Sequence, residues 1–402
     1  MLELTYPIRL RATKTNTFFT HLVCSACGHV YSKGHVLTVC QQPGCLQPLL
    51  AVYDTRRRLN RKYLRHRPAS MWRYREMLPM VSDANIVSLG EGFTPMLKAT
   101  GLSKKSGMFS LFIKDESLNP TGSFKARGLS MAVSRAKELG ITSCVIPTAG
   151  NAGGAMSAYC AKAGIAAHVF MPTATPDVFK QECRFFGAQL TLVDGSIYDC
   201  GQLVRQQASI HGWFDVSTTK EPYRIEGKKT LGYEIAEQLG WILPEVIVYP
   251  TGGGTGLIGM WKAFDEMEQL GWIGSQRPRM VAVQSANCAP VVKAFESGAT
   301  QMTLYPDSFT VANGLRVPKP YADSLILRVL KESKGSAISI EDEAIIGAVK
   351  EIAREEGLLV SPEGGAIYQA AKQLLQTGWI QPEERVVLVN TGSGYKYLEN
   401  LK

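Results

Sequence analysis

No apolar run in this sequence reaches the ~18 residues that a membrane-spanning helix needs, and no internal repeat or low-complexity tract stands out. The first residues, Met1-Leu2-Glu3-Leu4-Thr5, lack the basic patch followed by an apolar stretch that marks a secretory signal. A cytoplasmic location without membrane contact is therefore expected. Disorder is excluded as well, because 45% hydrophobic and 20% charged residues are ordinary for a folded chain. At 402 residues the chain can bury a large core and form two domains with an appendage.

Acid is missing from one segment. Between Arg56 and Arg75 there are nine Lys or Arg and no Asp or Glu, so the remaining residues carry 35 charges of each sign. The whole formal charge of +9 sits there. Such a stretch could meet nucleic acid or an acidic partner. A helical connector, its cations facing water or pairing with acids elsewhere, accounts for it more simply. Trp72 and Tyr74, close to Leu78-Pro79, suit an end that docks on a larger body. Nucleic acid is thus not expected as a partner.

The nine cysteines fall into two groups. Cys24-Ser25-Ala26-Cys27-Gly28 and Cys40-Gln41-Gln42-Pro43-Gly44-Cys45 make two knuckles, with twelve residues between Cys27 and Cys40. Four thiolates at this spacing fit a tetrahedral zinc site, and Gly and Pro allow the turns that bring sulfur inward. His21, His29 or His35 could replace a thiolate, but Cys24, Cys27, Cys40 and Cys45 are the expected ligands. A closed four-ligand site leaves no place for substrate, so the zinc would be structural. Cys144, Cys160, Cys183, Cys200 and Cys288 sit among apolar neighbours and read as core residues.

The expected organisation is a zinc ribbon within residues 1–54, at about 17–54, a basic connector over 55–80 and a catalytic body over 81–402. In the body, short apolar runs alternate with helical patterns. Strands are expected at Leu111–Lys114, Ser143–Pro147, Ala167–Met171, Gln189–Val193, Val246–Tyr249, Met280–Val283 and Val386–Val389, with helices at about 122–139 and 152–163. β-branched runs separated by helices imply buried parallel strands. The fold class is therefore α/β, with two doubly wound lobes, the smaller near 130–220, and a site in the cleft between them.

Three segments carry chemistry. Asn119-Pro120-Thr121-Gly122-Ser123-Phe124-Lys125 offers one lysine at a helix start, where the positive helix end disfavours the ammonium form. A lysine amine can hold an aldehyde cofactor as a Schiff base and act as a base when released. Gly252-Gly253-Gly254-Thr255-Gly256 follows an apolar strand and precedes a helix; four glycines in five residues let backbone N–H groups converge on a phosphate, and Thr255 can donate a hydroxyl. Arg224, Lys228 and Lys229 cluster at another helix start, where Arg suits phosphate recognition. They could equally be exposed cations, and Arg316 is a weaker phosphate candidate.

From about Leu89 to the C-terminus the chain resembles the fold-type II pyridoxal 5'-phosphate (PLP) enzymes, whose fold is like the tryptophan synthase β subunit. Within them it looks like the threonine synthases. The carriers are Leu89-Gly90-Glu91-Gly92-Phe93-Thr94-Pro95, the segment ending at Lys125, the Ala149-Gly150-Asn151 turn, Pro222 to Thr230, the glycine loop and Asn390-Thr391-Gly392-Ser393-Gly394. The resemblance implies that Lys125 binds PLP, that Gly252, Gly253, Gly254, Thr255 and Gly256 hold its phosphate, and that Asn151 meets its phenolic oxygen, unless Asn151 is only a helix N-cap. Thr391, or else Ser393, would face the pyridine nitrogen. Thr148, Ala149, Gly150 and Asn151 would receive the substrate carboxylate, while Arg224, with Ser123 and Thr219, would grip the phosphate of O-phosphohomoserine. It also implies a homodimer. Ala126 stands where family members often carry Asp, and the glycine loop is closer to those of dehydratases. Ala149 and Ala152 occupy positions where synthases commonly offer hydroxyls. The alternative activity is β-elimination or β-replacement on serine, threonine, diaminopropionate or a phosphorylated serine relative.

Overall fold

The computed structural model describes residues 17–306 and 308–401. The expectations for Met1–Thr5 and for the first sixteen residues of the extension lie outside the described residues. Among the described residues no helix is long and apolar enough to cross a membrane.

A three-stranded antiparallel sheet comes first, formed by β1 (Phe19–Cys24), β2 (Val30–Ser32) and β3 (Leu49–Tyr53) in the order β2-β1-β3. Leu49, Ala51 and Tyr53 alternate inward along β3 and join an apolar cluster that includes Phe124, Ile225 and Tyr249 of the body. The three-stranded sheet is thereby packed onto the rest of the chain. Tyr53 also donates its hydroxyl to Glu226 over 2.7 Å, within a buried group where Lys229 pairs with Glu226 and Glu266.

The basic segment differs from the helical connector expected. It forms two 3-10 turns, Arg61–His66 and Met71–Met77, with Arg67 in extended conformation between them. The cause is Pro68, whose ring disfavours helical backbone at the residue before it. Several of the cations turn inward: Arg67 pairs with Glu76 and Arg73 with Glu237. Tyr74 donates to Glu237 and Trp72 to Glu91, so this end docks on the body.

The body holds two sheets. β4 (Met96–Lys98) and β5 (Ser110–Asp115) begin the larger one, and the chain then leaves it to build β6 (Ser143–Pro147), β7 (Ala166–Pro172), β8 (Gln189–Val193) and β9 (Phe214–Asp215). These four form a parallel sheet ordered β8-β7-β6-β9. The chain returns through β10 (Val246–Pro250), β11 (Arg279–Ser285), β12 (Ser336–Ile340) and β13 (Arg385–Asn390). The six-stranded order is β12-β11-β10-β13-β5-β4, parallel except for the antiparallel edge strand β4. β10 is buried at every residue, as expected of a central strand covered on both faces.

Helices Lys125–Glu138 and Tyr223–Gln238 pack against each other, linking the lobes. Gly227 lets them approach: a side chain there would collide with the Arg127 carbonyl. Beside this contact Arg127 pairs with Glu116 and Glu234, and Lys114 also pairs with Glu234, all fully buried. This ionic cluster fixes the helix that begins at Lys125.

Candidate active site

The C-terminal ends of β6, β10 and β13 converge on one cleft, where open α/β sheets place their ligands. Its wall includes Phe124, Lys125, Thr148 to Ala152, Gly252 to Thr255, Thr391 and Gly392. Four separate sequence segments are thus brought together, while the Arg224, Lys228 and Lys229 cluster is not among the lining residues.

Lys125 is the first residue of its helix. The preceding turn has positive φ at Thr121 (61°) and Gly122 (64°), which delays the helix from the expected start at Gly122. A threonine in the left-handed region is uncommon and marks a turn held by its surroundings. The holding contacts are to the loop after β13: Phe124 N–H donates to Thr391 O at 3.0 Å, and Ser393 N–H to Gly122 O at 2.9 Å. Burial, reinforced by the Arg224 guanidinium and opposed by Glu363, pushes the Lys125 pKa down to about 8. The expected direction holds, and burial is its main cause. An amine so shifted is available as a nucleophile and base near neutral pH.

Gly252 to Gly254 turn the chain from β10 into helix Thr255–Gln269. Gly254 has φ of 73°, a conformation that favours glycine, and its missing side chain leaves room for Ile326. Backbone N–H groups at this helix start and the Thr255 hydroxyl suit a phosphate. Gly256 lies one residue inside the helix, against the Tyr249 hydroxyl, and does not line the cleft.

Asn151 is the first residue of helix Asn151–Ala163, and Gly150 holds the cap position without a side-chain cap, so the N-cap alternative for Asn151 does not hold. Its amide donates to Tyr397 Oη at 3.1 Å and accepts from Lys396 Nζ at 3.1 Å. Lys396 in turn bonds Thr121 O and Glu182. Thr148 shapes the turn through its hydroxyl and the Gly150 backbone. Thr391 lines the cleft; Ser393 accepts from Tyr395 N–H and does not.

Arg224, Ser123 and Thr219 do not line the open cleft. Arg224 is fully buried; one Nη donates to Val216 O at 2.7 Å, while Nε and the other Nη have no partner among the described residues. Ser123 Oγ is equally unpartnered. Thr219, with φ of 63°, donates to Thr218 O. Lys228 and Lys229 are not surface cations: both are buried, and they diverge. Lys229 joins the carboxylates beside the ribbon, whereas Lys228 donates to Thr255 Oγ1 at 2.8 Å. Arg316 is exposed at the cleft mouth.

Sequence reasoning missed Glu363 and Tyr397. Glu363 lines the cleft and accepts from Gly314 N–H and from the Tyr397 hydroxyl. The available signal was Ser361-Pro362-Glu363-Gly364-Gly365, a further glycine-bearing turn that opens a helix. Buried groups without partners next to a glycine cradle and a depressed lysine are what an anionic aldehyde cofactor would complete.

A family model described as pyridoxal-phosphate dependent enzyme matches residues 87–392. The chain belongs to the pyridoxal-phosphate dependent enzyme family. Within that family it is similar to threonine synthase of Methanocaldococcus jannaschii, 33% identical over 93% of this chain and 92% of the relative. It is also similar to threonine synthase of Methanosarcina acetivorans, 35% identical over 92% and 91%. Among solved structures it shares the fold of maize serine racemase (TM-score 0.65, 23% identity, covering 76% and 93%). Diaminopropionate ammonia lyase from Escherichia coli has the same fold (TM-score 0.68, 17% identity, covering 79% and 89%). The fold is the α/β fold-type II architecture, and the cofactor is PLP.

Away from the cleft, the sulfur atoms of Cys24, Cys27, Cys40 and Cys45 all lie within 4.8 Å of one another. Each could supply one ligand to a tetrahedral ion.

Proposed function

We propose that the protein is a threonine synthase, a lyase that converts O-phosphohomoserine and water to threonine and phosphate. The observation that carries this reading is the Lys125 amine, depressed to about 8, between a glycine phosphate cradle and a buried arginine with unpartnered N–H groups. Two anions have to be held in such a reaction, one on the cofactor and one on the substrate.

PLP, when bound, supplies the electron sink for carbanions next to the amino group. Lys125 would hold the cofactor, and its free amine would take the proton from Cα and help move the one from Cβ. Gly252, Gly253 and Gly254 with Thr255 would hold the cofactor phosphate, Asn151 would meet its phenolic oxygen, and Thr391 its pyridine nitrogen; Gly256, inside the helix against Tyr249, would support the turn rather than line it. Thr148, Ala149, Gly150 and Asn151 orient the substrate carboxylate. Arg224 places positive charge behind the wall for the leaving phosphate, assisted by Ser123. Thr219 would have to turn from the Thr218 carbonyl to assist.

Zinc on Cys24, Cys27, Cys40 and Cys45 would tie the ribbon, residues 17–54, as a structural element. The same reading includes the connector over 55–80, the body over 81–402, a homodimer, a cytoplasmic location and no nucleic-acid partner. The test is a substrate screen with purified protein. Threonine and phosphate in equal amounts from O-phosphohomoserine are expected. Keto acid from serine or threonine, without turnover of O-phosphohomoserine, would replace this reading with β-elimination.

A further inference from the structure

Lys228 has no role in the scheme above, yet its setting is unusual. It lies in helix Tyr223–Gln238, fully buried, and forms no ion pair among the described residues. The carboxylates that bear on it are committed elsewhere: Glu221 accepts from the Tyr223 and Arg224 amides, and Glu116 pairs with Arg127. The charges that act on it most strongly are cations, Lys125 and Arg224. The ammonium lies 4.0 Å from the Phe124 ring centre and donates to Thr255 Oγ1 at 2.8 Å. Burial, and then the charges of Lys125 and Arg224, push its pKa well down. A lone buried cation is costly unless something anionic completes it.

The bond to Thr255 also has a direction. Because Lys228 donates, the Thr255 oxygen is the acceptor, and the hydroxyl hydrogen remains free for an acceptor in the glycine cradle. We propose that Lys228 is a positioning residue for the PLP phosphate: it orients the Thr255 hydroxyl toward that phosphate and sets a positive charge behind the cradle. This inference rests on the PLP reading of the cleft. It adds a residue that acts through Thr255, because Lys228 itself does not line the cleft.

Pyridoxal, which lacks the phosphate, separates this role from general damage. Cofactor-free wild type, Lys228→Met, Thr255→Val and the double variant are titrated with PLP and with pyridoxal, following the absorbance of the covalently bound aldehyde. Losing a charge-assisted contact is expected to weaken PLP about 10- to 100-fold in Lys228→Met. Pyridoxal binding should stay within about twofold of wild type, since Lys125 is untouched. The double variant should lose less than the two single losses combined, because the orientation of the Thr255 hydroxyl is common to both. Lys228→Gln, which keeps a donor without the charge, carries the same comparison should the methionine variant not fold. Unchanged PLP affinity, or equal loss for both ligands, overturns the role of Lys228 and leaves the PLP site standing. Wild type that takes up neither ligand overturns both.

Discussion

Lys125 should capture its cofactor fastest above a pH near 8. A free lysine titrates at 10.5, and here burial, then the Arg224 cation, lower the value to about 8. Only the neutral amine attacks an aldehyde. At pH 7 its fraction rises from about 0.03% to about 9%, a gain of roughly 300-fold. The sign for folding follows from the same shift. The unfolded chain binds the extra proton between the two values, so this group makes stability rise as pH climbs from about 8 to 10.5. The assay is stopped-flow mixing of cofactor-free protein with PLP from pH 6 to 10.5, following the absorbance of the covalent adduct. The rate should climb and then level near pH 8. In Arg224→Met the midpoint should move upward yet stay below 10.5, because burial remains the larger cause. A rate that continues to climb beyond pH 10 in wild type would refute the argument, as would a midpoint that falls in Arg224→Met.

Other expectations test separate parts of the account. Lys125→Ala should give no covalent PLP adduct and lose about 10²–10⁴-fold in turnover, read by absorbance and phosphate release. Arg224→Met should still take up PLP but lose about 10²-fold in phosphate release from O-phosphohomoserine. Arg127→Met leaves Glu116 and Glu234 short of their shared cation, and denaturant melts should show about 3–5 kcal/mol of lost stability. Metal analysis should find one zinc per chain, absent in Cys40→Ser, and chelation should lower the melting temperature of wild type alone. Zinc retained at full occupancy in Cys40→Ser would remove that thiol from the ligand set.

Much of the cleft was legible because it is built from local backbone demands. A glycine cradle after β10, a turn after β6 and a lysine at a helix start each follow from a few adjacent residues. The strands were legible for the same reason, as β-branched runs bounded by turns. Helix starts were less so: the positive φ values at Thr121 and Gly122 shift the Lys125 helix by three residues from where its pattern begins. The basic connector was expected as a helix with solvated or paired cations, but Pro68 broke it into two short turns. The fates of Arg224, Lys228 and Lys229 were hidden because they depend on how Tyr223–Gln238 packs against two other helices. Three cations within two turns of one helix look alike in sequence, yet one faces carboxylates, one Thr255, and one retains unpartnered N–H groups. Glu363 and Tyr397 were missed because the folded chain, not sequence spacing, brings them to Lys125 and Asn151.

The central claim is that Lys125 is the amine that carries the cofactor. Borohydride reduction of the PLP-loaded protein, followed by peptide mapping by mass spectrometry, addresses it directly. The account predicts one phosphopyridoxyl group per chain, on the peptide containing Lys125 and nowhere else. A label on Lys228, or protein that takes up no label after incubation with PLP, would contradict it.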